Sequence, residues 1–316
     1  LHDPERRTSQ ADLIVELCAK ERVELFHEKA GDGGEAYATF DSGDHREAWP
    51  VRSKGFKHWL ANRYYLRHNK SPNEAAIQSA LTTLTGQAMH RGPAQPVGLR
   101  VAQHEGAIYL DLCDAQWRAV RIDASGWSII ASHDVPVRFL RRRGMLALPD
   151  PQRGGSIDEL RPSVNLPKDE DWRLFVGFLL ICFHPRGPYT ILCVNGEHGS
   201  AKTTLCRFAR ALVDPNKAPL RRPPRDDRDV MIAGKNSWVV AYTNLSGIPD
   251  WLSDCLCALV YGEGYSTREL YSNDEETRFD AARAVMVNGI ENLMVRSDFA
   301  DRCVHLLLPA IPEDQR

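Results

Sequence analysis

At 316 residues, the chain is long enough for two ordinary domains, each able to bury its own core. A hydrophobic content of 43% and a charged content of 26% argue against a disordered, fibrous or membrane-spanning protein. The formal net charge of −2 gives no overall attraction to polyanions, so any affinity for nucleic acid must come from local patches.

The eight cysteines lie mostly inside apolar stretches, and no pair has the spacing of a zinc site, so we expect reduced core cysteines. No apolar stretch has transmembrane length and no leader pattern begins the chain, so we expect a cytoplasmic location without a membrane partner. Because the chain begins with Leu1 rather than methionine, we expect a fragment of a longer protein.

Residues 1–155 predict a smaller α+β domain. Its first ninety residues alternate between helical and loop-like segments, and helices are expected at 11–18, 56–67 and 73–89. Short β-type runs at 107–113, 117–122, 127–130 and 135–140 then predict a small antiparallel meander within residues 97–140. A stretch rich in proline and glycine follows at 149–167, which favours a domain boundary near residue 155.

The helix predicted at 56–67 combines aromatic and basic side chains. Trp59, Tyr64 and Tyr65 alternate with lysines and arginines and could form a stacking surface for nucleic acid. We favour the alternative, an amphipathic helix that buries its aromatic rings and exposes its basic face.

Residues 156–316 predict an α/β domain. Helices are expected at 171–183, 202–213 and 250–260, and strands at 189–194, 237–242, 284–288 and 304–308. Such alternation predicts a mainly parallel sheet flanked by helices, with a ligand at the carboxyl ends of its strands.

Residues 196–204, here called the glycine loop, lie between a predicted strand and a predicted helix. The loop consists of Gly196, Glu197, His198, Gly199, Ser200, Ala201, Lys202, Thr203 and Thr204. In this context glycines let backbone N–H groups converge on phosphates, a lysine reaches the outer phosphates, and a hydroxyl binds Mg²⁺. We therefore predict a P-loop that binds ATP through all nine residues, with Lys202 as a catalytic cation and Thr203 as the metal ligand.

Ala201 departs from this motif, which has glycine immediately before the lysine. We expect the position to enter the first helical turn, where φ is negative and alanine fits. The alternative for the whole loop is a glycine-rich turn that binds no ligand.

Residues 186–309 contain several further motifs in a fixed order. They are 196–204 (GEHGSAKTT), 236–246 (NSWVVAYTNLS), 251–257 (WLSDCLC), 266–271 (STRELY), 287–290 (VNGI) and 296–302 (RSDFADR). With these motifs the region resembles the ATPase domain of phage and plasmid replication proteins, the primase-associated, poxvirus-type superfamily 3 helicases of the AAA+ class. The resemblance implies an AAA+-like P-loop fold and an ATP- and Mg²⁺-dependent DNA motor.

The resemblance also implies partners and further site residues. It implies a homo-oligomeric ring, a hexamer, that acts on single-stranded DNA or a DNA fork, with a primase or another replication protein as a candidate partner. Asn288 resembles the polar residue that orients the attacking water, and Arg302, with Arg296, resembles the arginine that a neighbouring subunit presents to the γ-phosphate. Arg268 resembles part of a hairpin that links the nucleotide state to a bound strand.

Alternatives without a role in catalysis or binding remain open for these residues. Asn288 precedes a glycine and could belong to a turn. Arg302 could pair with Asp298 or Asp301 at the surface, and Arg268 could be a solvated charge.

The strand at 239–242 is expected beside the strand that leads into the glycine loop. The family generally has an acid at its end to hold Mg²⁺, and this chain has Thr243 there. Asp254 or Glu263 could supply the carboxylate that is missing at position 243. The alternative function is therefore an ATP-binding assembly or regulatory module with little hydrolysis. A third hypothesis, a small-molecule kinase, is disfavoured because the sequence has no signature of a site for a phosphate acceptor.

Overall fold

The computed structural model describes residues 8–28, 34–262, 265–268, 276–279, 282–290, 293–294 and 296–312, with backbone only at 265–268 and 276–279. The chain forms two compact units. The first contains Leu1–Gly98, Ala115–Arg121 and Trp127–Arg141, and the second contains Leu99–Asp114, Ile122–Gly126 and Arg142–Arg316. The boundary near residue 155 stays a prediction. Within the described ranges, every helix is too short or too polar to cross a membrane.

The described helices are α1 Gln10–Lys20, α2 Lys54–His68, α3 Glu74–Arg91, α4 Asp169–Cys182, α5 Lys202–Val213, α6 Asp227–Asn236, α7 Asp250–Tyr261 and α8 Ser297–Ala300. The described strands are β1 Glu24–Glu28, β2 Ala36–Ser42, β3 His45–Pro50, β4 Ala94–Gln95, β5 Val97–Gly98, β6 Val101–His104, β7 Ala107–Asp111, β8 Ala119–Asp123, β9 Gly126–Ile130, β10 Arg138–Phe139, β11 Ile191–Gly196, β12 Val239–Leu245, β13 Tyr265–Arg268, β14 Glu276–Phe279, β15 Ala284–Gly289 and β16 Cys303–Leu308. Short 3-10 helices cover Ser132–Asp134 and Ile157–Ser163.

In the first unit, α2 and α3 pack on a sheet of strand order β3-β2-β1-β4, and α1 packs on α2 and α3. Each of the three helices begins after a side chain that caps its first turn, namely Ser9, Ser53 and Asn73, because these side chains accept hydrogen bonds from free backbone N–H groups. The three predicted helices are confirmed. The loop-like description of the remaining segments is wrong, since β1, β2 and β3 lie there. Gly43 was the signal available in the sequence. It adopts a φ of +70° in the turn between β2 and β3, which pair antiparallel.

Three of the four runs of the predicted meander are confirmed. Strands β6, β7, β8 and β9 follow one another in a four-stranded sheet, and β6 pairs antiparallel with β7, with Val101 opposite Leu110. The last predicted run contains β10, which pairs in parallel with β5 of the first unit and so does not continue a meander. Local alternation of apolar residues predicts a strand but carries no information on its partner.

The second unit is built around a parallel sheet of strand order β12-β15-β11-β16. All residues of β11 and β15 are buried, as expected for central parallel strands covered on both faces. Helices α4, α5 and α7 contact this sheet. The α/β prediction is confirmed, but the expected position of β12 beside β11 is wrong, because β15 lies between them and pairs with both. Helix α6 was not predicted.

A buried ionic cluster fixes the C-terminal end of α5. The Asp214 carboxylate accepts hydrogen bonds from Arg100 Nε at 3.2 Å and lies 3.2 Å from Arg210 Nη2. The side chains of Arg100, Arg210 and Asp214 are at most 2% exposed. The same carboxylate accepts from the backbone N–H of Trp238 at 3.0 Å and of Val239 at 3.2 Å, so it ties α5 to the start of β12.

Candidate functional site

The glycine loop joins the end of β11 directly to the start of α5. Gly196 has a φ of +153° and Gly199 a φ of +77°, values that glycine adopts without steric cost. A Cβ at Gly196 would lie 2.5 Å from the Leu308 carbonyl oxygen and 2.7 Å from Ser200 Oγ. Glycine is therefore required at position 196 both by backbone conformation and by space.

Lys202 folds back over the loop that precedes it. Its Nζ donates hydrogen bonds to the carbonyl oxygens of Gly196 at 2.7 Å and Glu197 at 2.6 Å, and to Ser200 Oγ at 3.3 Å. Partial burial lowers the pKa of the Lys202 ammonium. The loop thus holds one ammonium group against two main-chain oxygens and one hydroxyl at the start of a helix.

Ala201 differs from the expectation at this position. It precedes the first residue of α5 and adopts the left-handed conformation, with φ of 63° and ψ of 23°. The expected negative φ is wrong, because the chain completes its turn at position 201 and enters the helix only at Lys202. For an L-residue this conformation costs about 1–2 kcal/mol relative to the right-handed one. The first turn of α5 also has no side-chain cap.

A cavity of about 510 Å³ opens beside the loop at the carboxyl edge of the sheet. Its described lining residues are His198, Gly199, Ser200, Ala201, Lys202, Thr203, Asn244, Leu245, Ser246, Gly289 and Ile290. Six of the nine predicted loop residues thus line it, whereas Gly196, Glu197 and Thr204 do not. No Asp or Glu side chain belongs to this described lining.

Asn288 lies inside β15, so the Asn-Gly pair does not form the turn considered above. Its side chain is buried and joins three elements. Oδ1 accepts from Thr243 Oγ1 at 3.0 Å and from the Asn244 N–H at 3.2 Å, both at the end of β12. Nδ2 donates to Cys206 Sγ of α5 at 3.4 Å. Burial raises the pKa of the Cys206 thiol to about 11, so the sulfur stays protonated.

Asn165 contacts the loop from outside and was missed by the sequence reasoning. Its Nδ2 donates to the Ser200 carbonyl oxygen at 3.0 Å and to the Pro309 carbonyl oxygen at 2.7 Å. One carboxamide therefore ties the glycine loop to the residue that follows β16. No pattern around position 165 could have indicated this, because both partners are distant in sequence.

Asp254, one of the two proposed compensating acids, does not belong to the described cavity lining. Asp254 Oδ1 lies 2.9 Å from Arg296 Nη1, and Arg296 also pairs with Asp298 at 3.1 Å. Glu263 lies outside the described residues, as does the side chain of Arg268. The backbone at Arg268 belongs to β13, which pairs antiparallel with β14 and so forms the predicted hairpin.

Arg302 lies far from the glycine loop of its own chain. It immediately precedes β16, which begins beside Ile191 and ends beside Gly196, so five strand steps, roughly 16 Å, separate the two. Its Nη1 donates to the main-chain oxygen of Asp298, and its guanidinium lies 4.9 Å from the centre of the Tyr261 ring. Among the described carboxylates it has no ion-pair partner, so the alternative of a surface pair with Asp298 or Asp301 is not what the structure has.

The aromatic segment of α2 follows the favoured alternative in part. Tyr64 is buried, and the Trp59 ring lies 4.2 Å from that of Phe40. Tyr65 differs, because 48% of it is exposed.

Comparison with known proteins gives one family match. Residues 157–313, just under half of the chain, match the model of the actinomycete integrative conjugative element replication protein family. This region includes the glycine loop and all four strands of the parallel sheet. No curated protein matches the sequence.

Solved structures that match this chain are distant in sequence. The NrS-1 C-terminal region is 9% identical with a TM-score of 0.46, over 96% of this chain and 62% of that one. The SCCmec type IV Cch active helicase is 10% identical with a TM-score of 0.45, over 90% and 54%. The JCV helicase is 18% identical with a TM-score of 0.31, over 46% and 41%. The chain thus spans about three fifths or less of each of these structures.

Proposed function

We propose that the second unit binds ATP and Mg²⁺ at the glycine loop and acts as a helicase-like ATPase motor of a mobile-element replication protein, with single-stranded DNA or a DNA fork as substrate. One observation carries the proposal: the loop after a buried parallel strand holds the Lys202 ammonium against main-chain oxygens, beside a cavity of about 510 Å³. The family match over residues 157–313 supports the replication role.

The loop residues fit a triphosphate. The first backbone N–H groups of α5 have no side-chain cap, and such groups bind phosphate oxygens at helix N-termini. Lys202 would exchange the carbonyl oxygens of Gly196 and Glu197 for the oxygens of the outer phosphates. Thr203, which lines the cavity, would hold Mg²⁺ through its hydroxyl, and the metal would neutralise charge on the outer phosphates.

Asn288 has a positioning role in this proposal. Its carboxamide is already bound to Thr243 and Cys206, so we assign its influence on the attacking water to the Thr243 hydroxyl that it holds. Arg302 would act in another copy. Because roughly 16 Å of strand separates it from its own loop, it can reach a γ-phosphate only across the interface of a homo-oligomeric ring, here proposed as a hexamer.

The first test is ATP binding by calorimetry on the full chain. Lys202→Ala should abolish ATP binding or turnover, because the cation that faces the outer phosphates is lost. Lys217→Ala is the matched control, since it removes an exposed lysine outside the cavity lining. Unchanged ATP binding and turnover in the Lys202 variant would refute the assigned site.

The second test separates binding from turnover. Arg302→Ala should remove phosphate release while ATP affinity stays unchanged, because the guanidinium would act only on the transition state of a neighbouring copy. Phosphate release with and without single-stranded DNA, together with a size measurement in ATP, tests the motor. Stimulation by DNA and assembly into a larger species are expected, and the absence of both would contradict a ring motor.

A second candidate function is an ATP-binding assembly or regulatory module with little hydrolysis. The observation that favours it is the described cavity lining, which includes no carboxylate, together with Thr243 in the place of the expected acid. It predicts ATP affinity with negligible phosphate release even in the presence of DNA. Restoration of phosphate release by Thr243→Asp would favour this second candidate.

A further inference from the structure

The first unit contains a small cleft on the face of its sheet opposite the helices. In the antiparallel pairing, Thr39 of β2 lies opposite both Ala48 of β3 and Glu24 of β1, so these three side chains share one face. The neighbours of Thr39 in the strand, Ala38 and Phe40, point the other way and pack in the core with the helices. The register therefore places Thr39, Ala48 and Glu24 in one row on the opposite face.

Residues 132–139 lie over this row and complete the cleft. Arg46 lies two residues before Ala48 on β3 and so shares its face. The Arg46 backbone N–H donates to Ser132 Oγ at 2.9 Å, which holds the covering segment against the strand. A cleft of about 30 Å³ results, and Thr39, Arg46, Ala48, Ser132 and Arg138 belong to its lining. All its lining residues lie in the first unit, and we call it the arginine cleft.

Three polar groups of the arginine cleft lack a hydrogen-bond partner in the part of the chain that the structure describes. They are Thr39 Oγ1, Arg46 Nε and Arg138 Nε, and all three atoms are buried. Thr39 as a whole is only 2% exposed. A buried donor without an acceptor is unfavourable, and each of these groups can donate. Three such groups around one cleft indicate an acceptor from outside the chain.

Two guanidinium groups of the cleft share one carboxylate. Arg46 Nη2 lies 2.5 Å from Glu24 Oε1, and Arg138 Nη2 lies 3.2 Å from Glu24 Oε2. Burial and the positive charge of Arg46 both lower the pKa of the Arg138 guanidinium, whereas Glu24 raises it. Two cations thus face one anion, and a second anion would stabilise them.

The other carboxylates near the cleft are already engaged. Glu47 belongs to the lining, but its Oε2 accepts from Trp49 Nε1 at 2.5 Å and its Oε1 lies 3.0 Å from His45 Nε2. Asp41 lies outside the lining, 3.5 Å from His133 Nε2. Neither carboxylate therefore satisfies the three free groups of the cleft.

The size of the cleft and its donors fit part of an oxyanion. A volume of about 30 Å³ holds roughly two water-sized atoms. A phosphate group presents two oxygens in this way, and the planar guanidinium fork binds such pairs of oxygens. The backbone of a nucleic-acid strand carries these groups along its outside, where arginine and threonine side chains commonly contact them.

We propose that the arginine cleft binds a phosphate group, with Arg46, Arg138 and Thr39 donating hydrogen bonds to its oxygens. A backbone phosphate of a DNA strand and free phosphate share this chemistry, and two arms of the experiment separate them. The DNA source rests on the proposed DNA-handling function, whereas the phosphate site does not depend on ATP binding or turnover.

The first arm measures the binding of inorganic phosphate by calorimetry. It uses the full chain with Lys202→Ala, so that the glycine loop does not contribute a second site. Phosphate should bind, and Arg138→Met should weaken binding at least about tenfold, because a charged hydrogen-bond donor is lost. Thr39→Val keeps the shape of the side chain and should weaken binding about tenfold without lowering the urea midpoint, since its hydroxyl has no partner among the described residues.

Arg63→Met is the matched control. It also removes a guanidinium paired with a glutamate in the first unit, but Arg63 lies on α2, 3.8 Å from Glu21 and outside the cleft lining. Phosphate affinity should stay unchanged in this variant. The proposal is overturned if phosphate does not bind to the Lys202→Ala chain, if Arg63→Met weakens binding equally, or if acetate binds as tightly as phosphate.

The second arm measures the affinity of the full chain for a labelled oligo-dT strand, without nucleotide and over a range of salt concentrations. If the phosphate belongs to DNA, Arg138→Met should lower the slope of log affinity against log salt by about 0.7, the value for one lost phosphate contact on a single strand. Phosphate binding in the first arm with an unchanged slope here assigns the cleft to free phosphate. If ATP binding is absent but the first arm succeeds, the nucleotide site fails and the arginine cleft stands.

Discussion

The Asp214 carboxylate offers a direct test of how the second unit is held together. Arg100 and Arg210 both bind it, and all three side chains are at most 2% exposed. Burial lowers the pKa of the Arg210 guanidinium, and the neighbouring Asp214 charge opposes that effect. Asp214→Asn keeps the shape of the side chain but leaves two buried cations without a counterion.

We expect this substitution to lower the free energy of unfolding by about 3–5 kcal/mol, the usual cost of removing one partner from a buried ion pair. Because single domains are stable by only about 5–15 kcal/mol, the change should appear as a large fall in the urea midpoint. The assay is urea unfolding followed by tryptophan fluorescence, since Trp238 donates its backbone N–H to the same carboxylate.

Arg210→Met gives the comparison that keeps the test decisive. It removes the excess cation and leaves Asp214 paired with Arg100, so its destabilisation should be smaller than that of Asp214→Asn. Asp229→Asn is a surface control, because its partner Arg225 is 85% exposed and the pair should contribute little. The reasoning is refuted if Asp214→Asn unfolds at the same urea concentration as Arg210→Met or the original chain.

Three further predictions concern the glycine loop and its surroundings. Ala201→Gly should raise the free energy of unfolding by up to about 1 kcal/mol, because relief of left-handed strain exceeds the added entropy of the unfolded chain. Asn165→Asp should weaken ATP binding about three- to tenfold in calorimetry, because a carboxylate cannot donate to the Ser200 carbonyl oxygen and costs about 1 kcal/mol there. Partial burial lowers the pKa of His305, so the folded state binds its proton less readily than the unfolded chain, and stability should fall as pH drops below about 6.5. His305→Gln should flatten this decline in urea midpoints measured across that range.

Each of these has its own control. Ala211→Gly, at an exposed position inside α5, should destabilise by about 1 kcal/mol, and equal loss in Ala201→Gly would contradict the strain argument. Asn236→Asp removes a similar amide-to-carbonyl bond, to Ile232, away from the loop and should leave ATP affinity unchanged. An unaltered pH profile in His305→Gln would exclude that residue as the titrating group.

Local signals predicted much of the second unit. Helix α5 was predicted with its observed bounds of residues 202 and 213, because a glycine-rich turn precedes it and Asp214-Pro215 follows it. The strands β11, β15 and β16 were predicted to within two residues, since each is a short apolar run between turn residues. The first unit was predicted less well, because β1, β2 and β3 mix polar and apolar residues without clear alternation.

Strand order and conformation at single positions depend on contacts between distant segments. The insertion of β15 between β11 and β12 follows from no local pattern, because strand composition does not encode neighbours. The left-handed Ala201 was also unexpected, because residue types alone do not show whether the turn ends before or after position 201.

The amino-acid sequence by itself determined where strands, turns and helices form, since hydrophobic period, glycine and helix-ending residues act over a few positions. It also brought the residues of the glycine loop together, because they are adjacent in the chain. Only the tertiary structure decided that Asn165 holds the loop, that Asn288 joins Thr243 to Cys206, and that Arg302 lies at the opposite end of the sheet from Gly196. These pairings arise from long-range packing, because the course of the whole chain, rather than the neighbouring residues in sequence, places each side chain beside its partner.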